Sequence, residues 1–337
     1  MMRRKFLQQI AGSVAALSAA VAEQARAQDG KRFRIYAVTW RGKTQVESGF
    51  EDFLGKRGLT VDFIWRDAEQ KVARLAEYVR EIKTLKPDLV YTWGTPPTLG
   101  IAGPFDAPDS SQYINDIPLI FAVVAAPVAA RIVPALTDRR REITGVTHVA
   151  AMEAQLEAMR TYRPFARLGV LYNAAELNSK ATAESLRRLA VTQKFELVEQ
   201  TFTRDEKGAA TATGIEEKVA ALKQAGAEWL YLGPDSYLFT QIERVAAAAL
   251  ALRLPTFSAT EAALGLRAPV LTGLVANYYT IGQFAGHKAE QILVKGIRAH
   301  DVPIETLSRY SFIVRMDVAK QLDILPPVSL FNYAIMR

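Results

Sequence analysis

The stretch ARLGVLYNAAELNS, residues 166–179, decides how the chain is read. Leu168, Gly169, Val170, Leu171 and Tyr172 form a near-continuous apolar run, the pattern of a strand covered on both faces in a parallel sheet. The run stops at Asn173, and the residues from there to Ser179 supply turn formers and a helix start. Ala181, Leu186, Leu189 and Ala190 then recur on one helical face. Strand, loop and helix in that order belong to a βαβ unit, and the loop leaving a strand's carboxyl end lines the ligand crevice of such sheets. Asn173, Asn178 and Ser179 are therefore candidate binding groups.

The same alternation runs outward in both directions. Upstream, strands are expected over 33–39, 61–65, 89–93 and 119–124, with helices over 44–54 and 72–86, the second ended by Pro87. The polar, turn-rich segment 104–116 is expected to be an excursion loop. Downstream, strands are expected over 143–149, 196–202, 229–232, 256–258 and 270–275, again separated by helices. A tail follows with a helix from Ile281 to Ile292, a strand over 311–314 and a short helix over 318–322. The whole reads as α/β, two doubly wound parallel-sheet lobes of similar grammar.

Composition narrows the function. A chain of 337 residues, 50% hydrophobic, has enough apolar surface for two ordinary domains. The net charge is +7, but residues 1–27 hold four of the 42 basic residues and one of the 35 acidic ones. The remaining excess is small and, apart from Arg139 to Arg141, interspersed with acids, so no nucleic-acid partner is expected. Cysteine is absent, which removes disulfides, thiolate metal sites, cysteine nucleophiles and a lipid-modified cysteine.

The beginning of the chain has an exporter's pattern. Met2 to Gln8 reads MRRKFLQ, close to a twin-arginine leader, followed by a modest apolar run and Ala25-Arg26-Ala27, a small-x-small cleavage site. Residues 1–27 are thus expected to be an export signal and Gln28 the mature start. The apolar run is shorter than the ~20 residues that span a bilayer. A soluble periplasmic protein without a lipid anchor, and a monomer, is the expectation.

Four segments carry a resemblance. RLGVLYNAAELNS is similar to the RIGVLYNPxExNS signature of a family of ABC-transporter substrate-binding proteins, whose members include carriers of tryptophan, tyrosine and related small molecules. IPLIFAVVAAPVAARIV at 117–133 resembles IPVVFAxVxDPVxAGLV, ITGV at 143–146 resembles VTGV, and ANYYTIG at 276–282 resembles xDYYxLG. Ala126 and Asn277 stand where the family usually carries Asp. The resemblance implies a type I periplasmic binding fold with three crossovers, the helix after Ile281 returning to the first lobe and the last strand to the second. Lobe 1 is then expected to comprise 28–147 plus 279–300, and lobe 2 148–278 plus 301–337.

No enzyme site emerges: there is no G-x-S-x-G elbow, no glycine-rich phosphate loop, and His148, His287 and His300 lack ligand spacing. No cofactor and no metal are expected. What remains is a ring of loop residues at strand ends: Trp40, Thr95, Asn173, Asn178, Ser179, Asp235, Ser236, Asn277 and Tyr278. For any one alone a cap or turn role explains it equally well. As a set they suit a small zwitterion, with Asp235 meeting an ammonium and Trp40 or Tyr278 stacking on its side chain. Gly233-Pro234-Asp235-Ser236 also resembles an acidic loop of the family. The expected function is capture of a small molecule, an amino acid or an aromatic compound, for delivery to an ABC permease. A sensing module that presents its closed form to a membrane receptor is the alternative, and a periplasmic enzyme is less favoured.

Overall fold

The computed structural model describes residues 31–265 and 267–337, so the expected leader lies outside the described residues. β1 (Arg32–Thr39), β2 (Thr60–Asp67), β3 (Leu89–Trp93), β4 (Leu119–Ala122), β5 (Ile143–Thr147) and β13 (Glu305–Thr306) form one parallel sheet. Its order is β13-β5-β4-β3-β1-β2. The second sheet is built from β6 (Arg167–Tyr172), β7 (Glu196–Thr201), β10 (Trp229–Leu232), β11 (Thr256–Ser258), β12 (Thr272–Val275), β14 (Ser311–Val314) and β15 (Ile335–Met336). Its order is β15-β14-β12-β11-β10-β6-β7, parallel except where β14 meets β12. A two-residue hairpin, β8 (Thr203–Arg204) with β9 (Ala210–Thr211), stands apart from both sheets.

Helices cover both sheets: α1 (Gln45–Lys56), α2 (Leu75–Leu85), α3 (Thr95–Ala102), α4 (Met152–Tyr162), α5 (Leu177–Gln193), α6 (Ile215–Gln224), α7 (Ser236–Thr240), α8 (Ile242–Ala251), α9 (Tyr278–Leu293) and α10 (Met316–Leu322). Local chemistry sets where they begin. Thr44 and Glu47 form a reciprocal capping box on α1, and the second Glu47 oxygen accepts the Tyr91 hydroxyl at 2.6 Å, which ties the helix start to β3. Tyr36, Phe50, Tyr91 and Phe121 fill the first core, while Trp229, Tyr231 and Phe257 are buried in the second lobe.

The chain passes between the lobes three times. The first passage follows β5, the second follows β12, and Val149 bridges Val275 where they run together. α9 packs back on α1 in the first lobe, as the resemblance implied. The third passage corrects the expected boundary at residue 300. Glu305 and Thr306 pair with Val146 and Thr147 in the first sheet, so the chain leaves that lobe after Thr306. The Tyr310 hydroxyl then donates to the Val149 carbonyl, placing the third passage against the first.

Each sheet changes its direction of growth once, between β1 and β3 and between β6 and β10. Loops diverge at such a point and leave a crevice at the strands' carboxyl ends.

Candidate functional site

The two crevices face each other and line a half-open cavity of about 50 Å³. Arg41 follows β1, Trp93 ends β3, and Gly94 and Thr95 lead into α3. Gly94 has φ +85°, a left-handed conformation that glycine adopts without strain and that turns the chain sharply off β3. From the second lobe come Asn178 on α5, Gly233 to Ser236 after β10, and Phe239 on α7. His148 and Tyr278, from the first and second passages, complete the wall with their rings edge to face at 6.3 Å.

Arg41 dominates the electrostatics. Its guanidinium carbon lies 4.6 Å from the Trp93 ring centre and 3.3 Å from that of Phe239, so one cation is held between an aromatic of each lobe. Among the described residues it makes no hydrogen bond and no ion pair. Burial pulls its pKa down to about 10, with Tyr278 and Glu47 opposing the shift, so it stays charged at neutral pH. His148 is the reverse case. Burial and then the Arg41 charge push its pKa down to about 3, which keeps the imidazole neutral. Trp93 Nε1, His148 Nδ1 and Asn178 Oδ1 are buried without a hydrogen-bond partner among the described residues.

The structure brings together five of the nine expected residues, Thr95, Asn178, Asp235, Ser236 and Tyr278, around this cavity. Four lie elsewhere. Trp40 turns into the first core and is 7% exposed, and the next residue, Arg41, faces the cleft instead. Asn173 accepts the Ala175 N–H with its side chain and donates its own N–H to Asp235 at 2.6 Å, forming a loop tie. Ser179 is buried beside Asp235, whose charged form its hydroxyl favours. Asn277 is exposed and caps α9 by accepting the Thr280 N–H.

Asp235 lines the cavity, yet its carboxylate is occupied. One oxygen accepts the Leu238 N–H at 2.8 Å as the cap of α7, and the other accepts Asn173 N–H. Glu176 stands beside it, with its oxygens accepting the Ser236 hydroxyl at 2.7 Å and the Ser236 N–H at 3.0 Å. Burial raises the Asp235 pKa against those hydrogen bonds. Burial, and then the Asp235 charge, raise that of Glu176 to about 7. Glu176 was missed among the candidates although it falls inside the opening stretch, because its hydrogen-bond partner Ser236 lies 60 residues away.

A carboxyl whose pKa rises on folding holds its proton more tightly in the native state. Its stabilising contribution is complete below the unfolded value near 4.5 and fades as pH climbs through about 7. Denaturant titrations of the parent should therefore show stability falling across that window, by at most about 1.4 kcal/mol per pH unit. Glu176→Gln should flatten the fall, and superimposable pH profiles would refute the assignment.

A model of the family described as ABC transporter substrate binding protein matches residues 37–336. The chain belongs to that family. A tyrosine-binding protein of Clostridioides difficile (strain R20291) is 26% identical over 284 residues, spanning 84% of this chain and 76% of the relative. Among solved structures, a conserved domain protein from Vibrio cholerae superposes with a TM-score of 0.78 at 21% identity, over 91% of this chain and 99% of that one. The ABC domain of Streptococcus pneumoniae in complex with L-Trp gives 0.75 at 20% identity, over 90% and 99%. These likenesses establish the shared two-lobed fold, and the members of this family are substrate-binding proteins rather than enzymes. No helix among the described residues is long and apolar enough to cross a membrane.

Proposed function

We propose that the protein is an exported, periplasmic solute-binding protein that captures a small carboxylate-bearing molecule between its lobes and delivers it to an ABC permease. The observation that carries this reading is Arg41, a half-buried cation with no ionic partner among the described residues, held across the cleft by Trp93 and Phe239. A desolvated guanidinium is costly unless a ligand supplies the counter-charge, and its planar fork suits a carboxylate. The tyrosine-binding relative and the L-Trp complex support a ligand of aromatic amino-acid size. A cavity of about 50 Å³ is well below the ~300–1,000 Å³ of ordinary small-molecule sites, so the lobes part to load it. The three adjacent passages at Val149, Val275 and Tyr310 supply the hinge.

Native mass spectrometry of purified protein should detect a bound small molecule, and small-angle scattering should show a smaller radius of gyration after that molecule is restored to stripped protein. Binding without any change in radius would remove the hinge. Absence of both a co-purified molecule and any carboxylate ligand would remove the function.

A further inference from the structure

Resting on that proposed function, we infer that the cleft selects organic carboxylates that lack an ammonium group over the corresponding zwitterionic amino acids. On the side that would receive an anion, the Arg41 guanidinium carries five N–H donors and no acceptor among the described residues, and the buried Trp93 Nε1–H is also unpartnered. Both groups can only donate.

On the side that would receive a cation, the carboxylates already have protein donors. Among the described residues Asp235 is the acid that lines the cavity, and Glu176, Glu47 and Glu261 lie beside Asp235, Arg41 and Tyr278. Asp235 accepts from the backbone N–H groups of Leu238 and Asn173. Glu176 accepts both the hydroxyl and the N–H of Ser236. Glu47 accepts the Tyr91 hydroxyl through one oxygen and the Thr44 N–H and hydroxyl through the other. Glu261 accepts Asn277 Nδ2–H at 3.1 Å and the Tyr278 N–H at 2.5 Å. Every one of these eight oxygens thus holds a protein donor, and those donors fix the loops that shape the site.

Two of the acids are weakened further as partners for an ammonium. Asp235 and Glu176 lie close enough for the Asp235 charge to raise the Glu176 pKa, and burial raises both, so near neutral pH the pair holds back part of its charge. His148, neutral in its buried site, adds no anion. Asn178 Oδ1 and one ring nitrogen of the neutral His148 remain as acceptors without a partner among the described residues. Neutral acceptors can take a ligand hydroxyl, but they do not compensate a desolvated ammonium. A zwitterion would therefore bring its positive charge into a cavity whose free protein charge is also positive.

The test uses matched pairs that differ only in the ammonium group: 3-(4-hydroxyphenyl)propanoate against L-tyrosine, and 3-(indol-3-yl)propanoate against L-tryptophan. Calorimetry on the stripped full-length mature protein is expected to give at least tenfold tighter binding of the propanoate in one pair and no reversal in the other. Tighter or equal binding of the amino acid in both pairs, a reversal in either, or no binding by either propanoate overturns the inference. A winning amino acid leaves the proposed function intact, whereas the failure of all four compounds together with an empty native mass spectrum removes both.

Discussion

Arg41→Gln is expected to weaken binding of the co-purified small molecule by about 2–5 kcal/mol, roughly 30-fold to several-thousand-fold, because it removes one half of a desolvated charge pair. The unliganded protein should melt at the same temperature or slightly higher. Arg41 makes no ion pair among the described residues, and burial already disfavours its charge. Loss of a half-buried cation without an ion pair relieves a cost, set against the modest cation-π contacts with Trp93 and Phe239. Arg41→Lys keeps the charge but not the planar fork, so its affinity should fall between the two. Calorimetry and thermal melts on the same preparations separate the effects. Unchanged affinity in Arg41→Gln, or a collapse in melting temperature, would assign the residue to the scaffold.

Gly282→Val should destabilise the fold by about 3 kcal/mol or more, at the upper end of what overpacking costs, and lower the melting temperature by about 5 °C or more. The α1–α9 crossing brings backbone against backbone. A Cβ at Gly282 would run into the Val46 carbonyl oxygen, and one at Gly49 into that of Tyr279. Neither obstacle is a flexible side-chain end that could swing aside. Because α9 begins at Tyr278, in the cleft wall, displacement of the helix should also weaken ligand binding. A Gly282→Val protein with parental melting temperature would mean that the two helices separate freely.

The sheets were legible because a strand buried on both faces leaves an unbroken apolar run. Leu168 to Tyr172 and Trp229 to Leu232 both show it, and both lie in the second sheet. Element ends were less visible: Glu305 and Thr306 are too short and too polar to announce an edge strand, and only their pairing with β5 reveals one. Around the cavity, five of the expected side chains line the wall and four turn elsewhere. After β1, Trp40 and Arg41 point to opposite sides, so choosing the aromatic over its basic neighbour chose the core over the cleft. Arginine after a strand reads as a solvated residue, and nothing local says that Phe239 will close over it. Asp235 looks the same in sequence whether it meets a ligand or a backbone N–H, since a carboxylate ahead of a short helix serves both.

The return of α9 and β13 to the first lobe also sets an order of events during synthesis. Arg57, the residue that ends α1, bonds Glu290 on α9, a partner 233 residues further along the chain. At about 5–20 residues per second, the surface of α1 around Val46, Gly49 and Phe50 waits on the order of 10–50 s for the helix that covers it. The first lobe to begin is therefore unable to finish until the second has emerged. A nascent chain arrested before Thr306 would leave an open sheet edge at β5 and an uncovered helix face, both of them targets for holding chaperones.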